Sequence, residues 1–130
     1  MTKLFDIAQN WLNQDPDAET HAELTALLTA AKNGDEKAHA ELQARFSDRL
    51  QFGTAGLRGP LQAGSMGMNR VLVAQAAGGL ADYLKGYDKQ PSIVIGYDGR
   101  KNSDVFARDT AEIMAGAGVK AYLLPRKLPT

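Results

Sequence analysis

The sequence predicts an α/β fold, a layered mixed or parallel sheet with crossover helices, preceded by an N-terminal helical extension. Three observations carry that expectation. Apolar residues in the first fifty positions recur at helical spacing, whereas Ser92-Ile93-Val94-Ile95-Gly96-Tyr97 is a continuous β-branched run. Glycine is split, with only Gly34 of the 13 glycines before residue 50. Charge is split too. Residues 1–50 carry nine acids and five bases, a net of −4, while residues 51–130 carry ten bases and six acids, a net of +4. The expected organisation is therefore an acidic helical extension (1–50) and a basic, glycine-rich α/β body (51–130).

In the extension, Leu4, Ile7, Ala8, Trp11 and Leu12 form one apolar stripe on a first short helix. Asp15-Pro16-Asp17 is a helix start, with Asp15 capping and Pro16 at the first helical position. Leu24, Leu27, Leu28 and Ala31 make a second stripe, closed by Asn33-Gly34, and a third helix is expected from Asp35 to about Ser47. Trp11 and Phe5 are expected to anchor this extension on the body. In the body, Gln51–Gly59 reads as a short extended piece, followed by a loop. Asn69 caps a helix from Arg70 to Lys85, with its exit at Gly86. The run 92–97 reads as a buried parallel strand. Asn102-Ser103 then caps a helix to about Ala115, and Val119–Leu124 returns as a strand. Strand, helix and strand make a right-handed βαβ unit, with the 70–85 helix as a second crossover.

Composition excludes several functions. A length of 130 residues suits one domain of roughly 100–150 residues. The 44% hydrophobic and 23% charged content is globular. No apolar run approaches the roughly 18 residues of a membrane span, and no charged-then-apolar leader opens the chain, so a cytoplasmic location is expected. Cys is absent, which removes disulfides, thiolate ligands and Cys nucleophiles. His21 and His39 have no second ligand at helical spacing, so no metal site is expected in this chain. There is no Gly-x-Ser-x-Gly elbow and no basic stripe for nucleic acid. Asp109 and Glu112 read as solvated helix faces.

Two loops fit chemistry, since ligands of parallel sheets bind beyond the carboxyl ends of strands. Phe52-Gly53-Thr54-Ala55-Gly56-Leu57-Arg58-Gly59 combines sharp glycine turns with the Thr54 hydroxyl and the planar Arg58 fork, a set that suits phosphate oxygens. It ends in no Gly-Lys-Ser/Thr and lacks dinucleotide spacing. A plain glycine-rich turn with Arg58 on a carboxylate fits the same residues. The second loop, Gly96-Tyr97-Asp98-Gly99-Arg100-Lys101-Asn102-Ser103, precedes a helix N-terminus that favours anions. It reads equally as an Asp-Gly turn with Asp98 pairing Arg100.

The Phe52–Gly59 motif, Met68-Asn69-Arg70, Gly79–Leu84, Val94–Arg100, Gly118–Leu123 and Leu128-Pro129-Thr130 together resemble the opening of an α-D-phosphohexomutase, the phosphoglucomutase/phosphomannomutase superfamily. The acidic extension with Trp11 and Asp15-Pro16 resembles the phosphopentomutase and type-2 phosphoglucomutase branch. The resemblance implies a truncated first domain of an isomerase. Such an enzyme moves phosphate between C1 and C6, or pentose C5, of a sugar through a phosphoserine, a bisphosphate sugar activator and Mg²⁺. It also implies that Arg58 stabilises the transferring phosphoryl group, with Thr54, Gly56 and Arg100 as further site candidates. Ala55 stands where many relatives have Ser. The phosphoserine loop, the Asp-rich Mg²⁺ loop and the sugar-specificity loop are absent from these residues. The chain is therefore expected to be an N-terminal piece that is inactive alone and needs the parent's remaining domains as partners. Its open sheet edge is expected to allow dimers or swapped assemblies. A non-catalytic module holding a phosphorylated ligand is the competing expectation.

Overall fold

The computed structural model describes residues 2–54 and 56–129. In chain order the elements are α1 (Thr2–Gln14), α2 (Ala18–Lys32), α3 (Glu36–Arg45), α4 (Arg70–Tyr87), β1 (Ser92–Ile95), α5 (Ser103–Gly116) and β2 (Lys120–Leu123). They fall into two compact units, Met1–Leu72 and Val73–Thr130.

The first unit is organised by the apolar stripes of three helices. Ala8, Trp11 and Leu12 of α1 bury against Leu24, Leu28 and Ala31 of α2 and Ala38 and Leu42 of α3. Ala63, Val71 and Leu72 complete that core. Ile7, expected in the stripe, is exposed. One aromatic anchor also differs from expectation. The Trp11 ring stands edge-on to Phe46 at 5.6 Å, and Phe5 stands edge-on to His39 at 6.0 Å. Trp11 also shares its core with Ala63, Val71 and Leu72 of the body, its Nε1 lacking a hydrogen-bond partner among the described residues, whereas Phe5 pairs within the extension. His39 is thereby half-buried, with Nε2 lacking a hydrogen-bond partner among the described residues.

Helix starts follow short polar side chains. Asp17, not Asp15, caps α2 by accepting the Glu19 N–H at 2.9 Å. Asp15 instead turns inward, accepting the Asp17 N–H at 2.9 Å and the Thr20 hydroxyl at 2.6 Å. The helix begins two residues after Pro16, so the cap shifts with it. Asp35 caps α3 through the Lys37 and Ala38 N–H groups.

The second unit carries the βαβ element. β1 and β2 pair in parallel, Ser92 beside Lys120 through Ile95 beside Leu123, with α5 as the crossover. α4 continues past Gly86, and Asp88 N–H donates to the Leu84 carbonyl. No strand precedes α4 among the described residues, so α5 is the single crossover between described strands. Ala77 and Ala81 of α4, Met114 of α5 and Val119 form the core, with Ile93 and Ala121 packed on it. Helices thus cover one face of the sheet. Val94 is 67% exposed and Tyr122 is 49% exposed, which corrects the expectation of a strand buried on both faces. An uninterrupted apolar run does not distinguish one covered face from two. Asp109 is another correction, being buried, while Glu112 is exposed opposite Arg108 at 3.8 Å.

Candidate functional site

The loop that carries Arg58 lies in the first unit and is a tight turn rather than an extended piece. Gly53 N–H donates to the Gly56 carbonyl at 2.9 Å and Gly56 N–H donates back to the Gly53 carbonyl at 3.2 Å. Gly56 sits at φ +94°, a left-handed geometry that glycine adopts without Cβ strain. Both amides are therefore consumed inside the turn and do not face an anion. Thr54 and Arg58 are exposed, and Arg58 makes no hydrogen bond or ion pair among the described residues.

Residues 63–69, which lead into α4, bond to both ends of the loop and to Arg45 at the end of α3. Leu50 N–H donates to the Ser65 carbonyl at 2.9 Å on one side of the loop, and Met68 N–H donates to the Pro60 carbonyl at 2.8 Å on the other. The Ser65 hydroxyl donates to the Asp48 carbonyl. Asn69 is 2% exposed; its Nδ2 donates to the carbonyls of Gln62 and Gly64 at 2.8 Å and of Gly67 at 3.2 Å. Its Oδ1 accepts the Leu72 N–H at 2.9 Å, which is the cap that the sequence predicts for α4. Arg45 closes the group. Its guanidinium bridges Glu23 and Glu41 and donates to the Ala63 carbonyl at 3.2 Å. Those two carboxylates raise the Arg45 pKa against the opposing effect of burial, the largest single cause, and keep the group charged. The Arg45 carbonyl accepts the Met66 N–H at 3.1 Å. Gly64, at φ +103°, lies so close that a Cβ there would stand 2.6 Å from that carbonyl oxygen. Sequence reasoning missed Arg45, which pairs with Glu41 four residues before it and with Glu23 and the Ala63 carbonyl 22 and 18 residues away. It recognised Asn69 only as a cap.

Arg100 lies in the second unit, in the turn after β1. Its backbone N–H donates to Asp98 Oδ1 at 3.0 Å and its Nε lies 3.3 Å from Asp98 Oδ2. Asp98 N–H donates to the Ser103 hydroxyl at 3.2 Å. Asn102 sits at the start of α5 in a left-handed conformation, φ 67°, without a side-chain cap. The Arg100 backbone N–H, more than any other group, holds the Asp98 carboxyl below the usual carboxylate range. The linked stabilisation is present above the unfolded-state value of about 3.9 and is lost as pH falls through the lower folded value. A ¹³C-carboxyl NMR titration should place Asp98 below about 3.9; a midpoint at or above that value would contradict the turn.

The described residues contain no group of three or more His, Asp or Glu side chains able to hold a metal ion. No described helix is long and apolar enough to cross a membrane.

Residues 49–130 match the family described as phosphoglucomutase/phosphomannomutase, alpha/beta/alpha domain I. The chain belongs to that family. A "Probable phosphomannomutase" of Haemophilus influenzae is 95% identical over 65 residues, covering 50% of this chain and 13% of that protein. The "Phosphoribomutase" of Saccharomyces cerevisiae is 42% identical over 122 residues, covering 93% of this chain and 19% of its own length. A human "Glucose 1,6-bisphosphate synthase" is 35% identical over 129 residues, covering 92% of this chain and 20% of that protein. The chain thus spans about a fifth or less of these relatives. No solved structure matches it. As a phosphoglucomutase/phosphomannomutase family chain, it carries the Gly-Thr-x-Gly-Leu-Arg loop inside the matched region, which residues 1–48 precede.

Proposed function

We propose that this chain supplies the first part of a phosphosugar mutase, which interconverts a sugar 1-phosphate with its 6-phosphate or pentose 5-phosphate. The single observation that carries the reading is Arg58, exposed on a hydrogen-bonded glycine turn within the family-matched region. A guanidinium there presents a planar fork to phosphoryl oxygens. As charge builds on those oxygens during transfer, the fork stabilises it more than it stabilises the resting phosphate ester. Thr54 adds a hydroxyl beside the turn. Gly56 acts by shaping the turn, and Arg100 braces its own loop through Asp98. The phosphoserine, Mg²⁺ and the bisphosphate activator belong, in this reading, to other parts of the parent protein, since no Ser-His pair occurs in the chain. The division at residues 50 and 51 sets the helical extension apart from the catalytic domain. A cytoplasmic location agrees with the absence of cysteine. The exposed Val94 and Tyr122 face and the open strand edges fit pairing between copies of the chain.

³¹P NMR of the full-length parent with glucose 1-phosphate, mannose 1-phosphate and ribose 1-phosphate tests the reading. The expected result is conversion of at least one to its isomeric phosphate, with none by the 130-residue chain alone. Binding of the esters without any conversion would favour a non-catalytic phosphate-binding module instead.

A further inference from the structure

The helical core meets the Arg58 loop through the partly buried Leu50 and Leu57. The loop's ends also bond to one short segment whose polar contacts are concentrated on two side chains. The loop leaves and returns at Leu50 and Pro60, and both ends bond to residues 63–69. Ala63 is fully buried and Met68 packs partly buried on the helical core, and polar contacts add to that apolar anchorage. Arg45 supplies contacts from α3, through its guanidinium to the Ala63 carbonyl and its own carbonyl to the Met66 N–H. Asn69 supplies the others, gathering the carbonyls of Gln62, Gly64 and Gly67. The Arg45 guanidinium is in turn fixed by Glu23 of α2 and Glu41 of α3. A charged, partly buried group that holds a backbone carbonyl contributes more than a neutral bond would.

We infer that Arg45 is a positioning residue: the Glu23–Arg45–Glu41 cluster fixes the 63–69 segment, and through it the approach of the Arg58 loop to a phosphoryl group. The inference deepens the proposed mutase reading and rests on it for the identity of the ligand. It assigns a function to the acidic extension, which lies outside the family-matched residues 49–130. Phosphoryl transfer depends on placement, and a displacement of about 1 Å can cost roughly 10²-fold in rate. The loop's ends at Leu50 and Pro60 are held by residues 63–69, so those anchors contribute to that placement.

The test is Arg45→Lys, which keeps a positive charge beside Glu23 and Glu41 but lacks the fork needed to serve both acids and the Ala63 carbonyl together. Hydrogen exchange of the 130-residue chain is the first readout. The Leu50, Met66 and Met68 amides should exchange roughly 10- to 100-fold faster than in the unaltered chain, the effect of losing one charge-assisted bond. Amides of α1 and α2 should keep their protection. Unchanged exchange at Leu50 and Met68 would overturn the inference. So would equal acceleration of every amide, because Arg45 would then hold the fold and not the loop. In the full-length parent, Arg45→Lys should lower kcat with KM nearly unchanged; a rise in KM alone would also contradict it. Exchange needs no turnover, so it decides this inference even if Arg58→Ala leaves activity intact, an outcome that would sink the mutase reading separately.

Discussion

Arg58→Ala in the full-length parent should lower kcat by about 10²- to 10³-fold, the loss typical of removing one preorganised charge-stabilising donor. KM for the phosphosugar should change far less. The reasoning is differential. The guanidinium is exposed, with no hydrogen bond or ion pair among the described residues, next to a turn in which the Gly53 and Gly56 amides bond to one another. Arg58 is the one cationic side chain of residues 52–59. Its planar fork gains most where negative charge spreads over equatorial phosphoryl oxygens, which happens in transfer and not in the resting ester. Steady-state kinetics separates the cases: a rise in KM with kcat intact would make Arg58 a ground-state binder.

Leu42→Ala should destabilise the chain by about 2–5 kcal/mol, as large-to-small core changes do. Leu42 is fully buried, where the faces of α1, α2 and α3 meet. Truncation removes apolar contact and leaves a cavity that three helices held by short connections cannot close. Since whole domains are stable by only about 5–15 kcal/mol, this is a large fraction of the total. Urea unfolding checks it through a lower midpoint with the slope unchanged; a shift of less than about 1 kcal/mol would show that α3 repacks.

The helices were legible because their signals are local. Stripes at three- and four-residue spacing place α1 and α2, and Asp35 and Asn69 cap where short polar side chains are expected to. The parallel strands were legible as apolar runs bounded by Pro91 and Asp98-Gly99. What depends on tertiary contact was not. The exposure of Val94 follows from which face the helices cover, and no pattern along one strand encodes that. The Gly53–Gly56 turn looked like an anion cradle because glycine composition does not say which amides bond to each other. Arg45 showed only the local Glu41 pair at i,i+4; Glu23 and the Ala63 carbonyl reach it only through tertiary packing. Among the site candidates, Arg58 and Thr54 share one loop, whereas Arg100 is held by its own neighbour Asp98.

That contrast between two arginines gives the most direct test of the claim that the Phe52–Gly59 loop acts on a moving phosphoryl group. Arg58→Ala and Arg100→Ala are made separately in the full-length parent, and kcat and KM are measured on whichever phosphosugar it converts. The account predicts a loss of about 10²- to 10³-fold in kcat for Arg58→Ala and near-unaltered turnover for Arg100→Ala. Full turnover by Arg58→Ala, or a loss that falls on Arg100→Ala instead, would contradict it.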